Sequence, residues 1–319
     1  MAQQVEAAGR VLVVGSANVD VAVSTATLPR PGETVAGDAA VVSVGGKGAN
    51  QAAAAAACGA RTEFVGRLGN DAFGRMVRAD LAARGVILDQ LVAVDGAATG
   101  LAAIYVDHAG QNCIVVVPGA NALLAPADVS GLEPLIAASA VVVLQCETPL
   151  ATVQRMIELA AACATPVILN PAPSRGLDLR ALPRGVSFLV PNESEAAELT
   201  GLPVRSLHDA ALCAAELRRA GFPGVVITMG ALGCVVADEA GSRHIPAYPV
   251  KAIDTTGAGD AFIGCFAAAL AAGHACDEAL RRGALYASLS TTRRGAQLSY
   301  PDRQEFEQAW LAQPTAASP

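Results

Sequence analysis

A chain of 319 residues can bury a large core, and 53% hydrophobic against only 4% aromatic residues makes that core aliphatic and alanine-rich. The net charge of -7 excludes general binding to nucleic acid or to an anionic membrane, which needs a basic surface. Asp, Arg or Gly breaks every apolar run before the ~18 residues of a membrane span, and MAQQVEAAGR lacks the basic region and apolar core of a signal peptide.

In chain order, VLVVG (11–15) is a continuous apolar run ending in Gly, which predicts a buried parallel strand. GANQAAAAAACG (48–59) predicts a helix stopped by Gly59. Asp71 can cap a second helix that places Phe73, Met76, Val77 and Leu81 on one face and stops at Gly85. AVVVLQ (140–145) is a further strand, and Pro149 starts a helix whose inner face carries Val153, Ile157 and Ala160. Strands are predicted to end at Asn170, Asn192 and Gly230, with a helix from about Ser206 to Ala220 between the last two. Helices follow at about 260–272, 275–288 and 302–312, the last with Phe306 and Trp310 one turn apart. Alternating strands and helices mean right-handed βαβ units, hence an α/β fold with a doubly wound, mainly parallel sheet.

Two regions interrupt this rhythm. Residues 19–44 and 99–117 are β-rich with no helix between their strands, and Asp107–Gly110 reads as a hairpin turn. A small β-sheet lid built from about 17–44 and 97–118, on a single domain spanning 10–312, satisfies both, and the tail 313–319 reads as disordered. The eight cysteines are scattered without C-x-x-C or metal-like spacing, and most read as small buried hydrophobes in a reducing cytoplasm. The four histidines are equally isolated.

Polar residues gather where strands end. Asn18 and Asp20 follow the first strand, Glu147 follows AVVVLQC, and Asn170, Asn192 and Thr228 close three others. Asn and Asp commonly terminate strands and cap helices, but ligands bind at the carboxyl ends of strands in an open parallel sheet, so these groups should converge on one crevice. GGKGAN (45–50) is not a Walker A loop, because Val stands at position 41 and Lys47 is followed by Gly. Gly45 and Gly46 let Lys47 and Asn50 approach a small ligand, and a carboxylate such as Asp20 beside them suits neighbouring hydroxyls. The alternative is a plain strand-to-helix turn with a solvated lysine. In DTTGAGDAF (254–262), Gly257-Ala258-Gly259 lead through Asp260 into an apolar helix. Such a turn either permits tight packing or binds an anion, with one carboxylate beside it as proton acceptor.

GSANVD (15–20), PGETV (31–35), GGKGANQA (45–52), PGAN (118–121), NPAP (170–173), PNESEAAELTG (191–201), DTTGAGDAF and RRGAQ (293–297) together resemble the carbohydrate kinases of the ribokinase family, in order over about residues 10–302. The resemblance implies a homodimer joined through the β lid, and sugar contacts from Asn18, Asp20, Gly46, Lys47, Asn50 and Glu147. Asp260 matches the catalytic base, and the N–H groups of Gly257, Ala258 and Gly259 match the anion hole for the phosphoryl group. Asn192 and Glu195 match an N-x-x-E motif that acts on Mg2+ through water, and Thr228, Gly230 and Gly233 match nucleotide contacts. A K+ site is implied at the Asp254 side chain, the carbonyls of Thr256, Ser290, Arg293 and Gly295, and the Ser299 hydroxyl. Asp254 alone also reads as a turn or helix cap. One departure is Ala284, which aligns where such kinases commonly carry Asn or His near the adenine.

The expected activity is ATP-dependent phosphorylation of D-ribose at its 5-hydroxyl. Another pentose or ketose kinase acting on 2-deoxyribose or fructose is the alternative. A nucleoside kinase fits less well, because few aromatics are available to stack a base. A non-catalytic sugar- or nucleotide-binding protein would have no use for the base beside an anion hole.

Overall fold

The computed structural model describes residues 9–313, so the expected disordered tail falls, from 314 onward, outside the described residues, as do residues 1–8. The chain runs β1 (Arg10–Val14), β2 (Asn18–Thr25), β3 (Gly37–Gly45), α1 (Lys47–Ala57), β4 (Arg61–Gly69), α2 (Ala72–Ala83), β5 (Leu91–Val94), β6 (Gly100–Asp107) and β7 (Asn112–Val117). Then come α3 (Pro126–Val129), α4 (Glu133–Ala137), β8 (Val141–Gln145), α5 (Leu150–Ala162), β9 (Val167–Asn170), β10 (Phe188–Leu189), α6 (Glu193–Thr200), α7 (Leu207–Arg219) and β11 (Gly224–Thr228). It closes with β12 (Cys234–Asp238), β13 (Gly241–Ile245), α8 (Ala258–Ala271), α9 (Cys276–Ser290) and α10 (Arg303–Leu311).

Nine strands form the central sheet in the order β13-β12-β11-β10-β9-β8-β1-β4-β5. Its pairings are parallel except at β11–β12 and β12–β13, which make an antiparallel edge. β1 is paired on both sides, and its side chains alternate between two cores, as a pleated strand requires. Val11 and Val13 pack with α1, α8 and α9, while Leu12 and Val14 pack with α5 and α7. The doubly wound arrangement expected from the alternation is therefore present.

A second sheet, ordered β3-β2-β6-β7, forms the lid from the two β-rich segments. β2 pairs antiparallel with β3 and parallel with β6, and the β6–β7 hairpin turns at Asp107–Gly110, where Gly110 N–H donates to the Asp107 carbonyl (2.9 Å).

Four strands went unforeseen. β4 carries Glu63 and Arg67 inside it, and ion pairs with Arg10 and Asp128 neutralise these charges. β5 has only four residues, and β12–β13 are a polar-tipped hairpin. Asp71 caps α2 as expected, accepting from Gly74 N (2.7 Å), but the inner stripe is Gly74, Val77 and Leu81. Phe73 points outward, because the first turn lies against the Gly69 carbonyl, where only a residue without Cβ fits.

Candidate active site

α1 and α8 meet through small side chains. A Cβ at Gly264 would stand 2.5 Å from Ala54 Cβ and 2.6 Å from the Gln51 carbonyl oxygen, so glycine there sets how closely the helices approach. This contact brings Asn50 and Gln51 of α1 onto Asp260, which is 93% buried at the start of α8. Asn50 Nδ2 donates to Asp260 Oδ2 (2.9 Å) and Gln51 Nε2 donates to Oδ1 (2.8 Å). Gln297 Nε2 in turn donates to Asn50 Oδ1 (3.0 Å). A carboxylate oriented by two amide donors in a crevice is placed to accept a proton from a hydroxyl.

The residues expected to hold hydroxyls gather at the end of β1 and under the lid. Gly46 caps α1 with φ 86°, a left-handed turn in which a Cβ would press on the Asn18 backbone at 2.8 Å. The turn directs Lys47 N–H to Glu147 Oε2 (3.1 Å), and Ser16 Oγ donates to the same oxygen (2.6 Å). Asn121, in the PGAN stretch, donates to Asn18 Oδ1 (2.7 Å) and accepts from Ala17 N (2.9 Å). Burial, reinforced by the charges of Glu147 and Asp260, raises the Asp20 carboxyl to about 6. Burial also works against the Lys47 ammonium, but Asp260, Glu147 and Glu195 outweigh it and hold the amine above its ordinary value.

On the other side of Asp260 lies a cleft of about 160 Å³ lined by Lys47, Asn192, Glu195, Thr228, Thr255 and the 257–259 turn. Gly257 is in the left-handed region (φ 75°) and starts α8. The first N–H groups of a helix have no intrahelical partner and face its positive dipole end. In this conformation Ala258 donates its N–H to the Thr255 carbonyl (3.2 Å), which leaves Gly257 and Gly259 as free donors of the expected anion hole among the described residues. Asn192 and Glu195 form a reciprocal cap on α6, with Asn192 N–H donating to Glu195 Oε2 (2.9 Å) and Glu195 N–H donating to Asn192 Oδ1 (2.9 Å). Gly230 and Gly233 lie beyond Thr228 in the β11–β12 turn, outside the cleft lining. Ala284 is buried in α9 within the core.

The loop before α8 is tied to the segment after α9. Asp254 Oδ1 accepts from Thr256 N (3.0 Å) and Thr256 Oγ1 (2.7 Å), and Oδ2 accepts from Gly295 N (2.8 Å). Partial burial opposes ionisation of Asp254, yet these donors hold its carboxyl below the ordinary carboxylate range. Asp254, Thr256 and Gly295 are thus joined directly. Ser290 ends α9, Arg293 pairs with Glu305, and Ser299 Oγ donates to the Ala296 carbonyl (2.7 Å). The expected ligand positions supply hard oxygen donors and an ionised carboxylate, which fits a monovalent cation.

Several supporting residues were missed at the level of sequence: Ser16, Gln51, Asn121, Gln145, Gln297, and Tyr300, whose hydroxyl donates to the Gly257 carbonyl (3.1 Å). A signal was available for two of them, since Gln51 and Gln145 are lone amides in otherwise apolar buried runs.

Comparisons with known proteins agree with this fold. The model of the pfkB family of carbohydrate kinases matches residues 8–303. A ribokinase of Haemophilus influenzae is 39% identical, covering 92% of this chain and 95% of that one. A deoxyribokinase of Salmonella typhi is 35% identical, covering 93% and 97%. The structure of Arabidopsis thaliana ribokinase complexed with ribose and ATP superposes with a TM-score of 0.87 at 33% identity, covering 95% of this chain and 98% of that one. With the match spanning nearly the whole chain, this protein belongs to the pfkB family of carbohydrate kinases.

Proposed function

We propose that the protein transfers the γ-phosphoryl group of ATP to the 5-hydroxyl of D-ribose, with Asp260 as the general base. The observation that carries this reading is the placement of Asp260, a buried carboxylate fixed by two amides, near Asp20 and Lys47 and at the N-terminal turn of α8. In the reaction, Asn18, Asp20, Gly46, Lys47, Asn50 and Glu147 hold the sugar, and Asp260 accepts the proton of the 5-hydroxyl. The O5–Pγ bond forms as the bond from Pγ to the β,γ-bridging oxygen breaks, and ADP leaves. N–H groups of Gly257, Ala258 and Gly259 stabilise the charge that grows on the phosphoryl oxygens, with the Ala258 donor exchanging Thr255 for the phosphoryl group.

The nucleotide reading assigns Asn192, Thr228, Gly230 and Gly233 to ATP, with Ala284 contributing no polar contact to the adenine. Glu195 and Asn192 border the cleft and fit Mg2+ held through water, which would neutralise phosphate charge. Asp254, Thr256, Ser290, Arg293, Gly295 and Ser299 fit K+, which would fix the shape of the 254–257 loop. 2-Deoxyribose is the second candidate sugar, favoured by the Salmonella relative. An assay of ADP release over ribose, 2-deoxyribose, fructose and nucleosides tests the assignment. Highest kcat/KM for ribose is expected; turnover of another sugar with none of ribose would overturn the substrate and leave the kinase reading standing.

Asp20 couples sugar binding to stability. Its folded value of about 6 lies above the ordinary 3.8 of an unfolded chain, so the folded state prefers the protonated acid. The contribution to stability is complete below pH 3.8 and lost as pH rises through about 6. Asp20→Asn is therefore expected to stabilise the free protein at pH 8 by about 1–2 kcal/mol after discounting for solvent screening, with no gain at pH 4. The same change should raise KM for ribose at least about 10-fold, since a charged acceptor of two hydrogen bonds is lost. Thermal melts at both pH values check the first expectation; a destabilised variant at pH 8 would contradict it.

The lid also supports a homodimer. β7 is exposed along its whole length, with Ile114, Val115, Val116 and Val117 each 49–57% accessible, and Val41 and Val42 of β3 are about half exposed. Apolar β-branched residues on both faces of a strand are costly in water and suit a partner sheet. Val115→Asp should convert the dimer to monomer in light-scattering measurements; an unchanged dimer would argue for another interface. No described helix is long and apolar enough to cross a membrane.

A further inference from the structure

Behind Asp260 runs a chain of buried amides, of which Asn170 borders the cleft while Gln51 and Gln145 lie outside its lining. Gln51 is 0% exposed, Gln145 is 0% exposed, and Asn170 is 6% exposed. Gln145 Nε2 donates to Gln51 Oε1 (2.7 Å), and Gln51 Nε2 donates to Asp260 Oδ1 (2.8 Å) and to Asn170 Oδ1 (3.3 Å). Asn170 Nδ2 donates to the Val190 carbonyl (2.9 Å).

The direction of every amide in this chain follows from one backbone group. A carbonyl only accepts, so Asn170 must turn its NH2 toward Val190 and its oxygen toward Gln51. Gln51 then meets two acceptors, Asn170 Oδ1 and Asp260 Oδ1, and must present both of its N–H groups to them. Its own oxygen is left facing Gln145, which can satisfy it only by donating. Gln145 reaches Gln51 across the close passage at Gly15, where any Cβ would overlap the Gln145 amide oxygen. That oxygen has no partner among the described residues, so Gln145 is held in a buried site at a cost for the sake of its donor.

We infer that Gln51, locked from behind by Gln145 and Asn170, is a positioning residue for the base. It pins Oδ1 of Asp260 so that Oδ2, on the side of Asn50, takes the proton of the sugar hydroxyl. Asn50 has to be free to turn toward the sugar, so its bond to Oδ2 cannot also fix the carboxylate during turnover. The Gln51 bond, buried and away from the pocket, does not need to break. This inference rests on the kinase reading above.

Methionine matches glutamine in length and cannot donate, so Gln51→Met and Gln145→Met remove single donors while keeping the volume. Steady-state kinetics, with thermal melts to confirm that each variant is folded at the assay temperature, test the arrangement. Gln51→Met should lower kcat by about 10–100-fold with KM for ribose within about threefold, the signature of a misdirected base in an intact pocket. Gln145→Met, which touches no reacting group, should lower kcat in the same direction, and the double variant should be no slower than Gln51→Met alone. Full kcat in Gln145→Met, additive losses, or a loss confined to KM or to the melting temperature would overturn the inference while leaving the kinase reading intact. Should Gln51→Met not fold, the kcat of Gln145→Met alone decides. A wild-type protein that phosphorylates no sugar would overturn both.

Discussion

Asp260→Asn is expected to lower kcat by about 10²–10⁴-fold while ribose remains bound, because an amide cannot take the proton that the attacking hydroxyl must lose. The side chain is nearly isosteric, so the contact of α1 with α8 survives. One of the two donor bonds from Asn50 and Gln51 becomes donor against donor, and a modest loss of stability, about 1 kcal/mol, follows. Binding should not suffer. Asp260 is among the charges that raise the Asp20 carboxyl, so its removal leaves Asp20 more readily ionised for the sugar. Calorimetric titration with ribose beside steady-state turnover separates the two effects. Turnover within threefold of wild type would remove Asp260 from the role of base.

Gly257→Ala should be nearly as damaging through geometry alone. Gly257 sits at φ 75°, and an added Cβ would lie 2.7 Å from Ala296 Cβ and 3.0 Å from Ala296 Cα. The left-handed conformation costs alanine roughly 1–2 kcal/mol, and the contact must also be relieved by moving one of the two loops. Either response shifts the N–H groups that begin α8, and losing one well-placed donor to a growing oxyanion is worth about 10²–10³ in kcat. The sugar pocket is built on other elements, so KM for ribose should hold within about threefold. A variant with full kcat would mean that the turn does not serve as the anion hole.

What could be read in advance follows from how local each signal is. β1 and β8 are unbroken apolar runs, α1 is an alanine tract, and Asp71 announces the start of α2, so these elements were legible from a few neighbouring residues. β4 was hidden because Glu63 and Arg67 break its apolar pattern, and their partners Arg10 and Asp128 are distant in the chain. Phe73 shows the same limit: helical periodicity placed it inward, and the backbone of Gly69, brought close by tertiary packing, turned it out. In the candidate site, GGKGAN and DTTGAGDAF singled out Lys47, Asn50 and Asp260 because each motif sets a Gly-rich turn and a polar side chain at the start of a helix. Gln51, Gln145 and Gln297 carry no such mark. Their partners lie 94 to 247 residues away, and an amide in an apolar run reveals that something is satisfied there without revealing what. The turn before α8 was legible in outline only, since the bond from Ala258 N–H to the Thr255 carbonyl depends on backbone angles that residue types do not fix.

The most direct measurement of the central claim is the position of the new ester after incubation with ATP, Mg2+, K+ and D-ribose, read by phosphorus and carbon NMR. A single phosphomonoester on C5, formed by the wild type and slower by at least about 100-fold with Asp260→Asn, is the expected result. Phosphate on C1, or no ester at all, would contradict it.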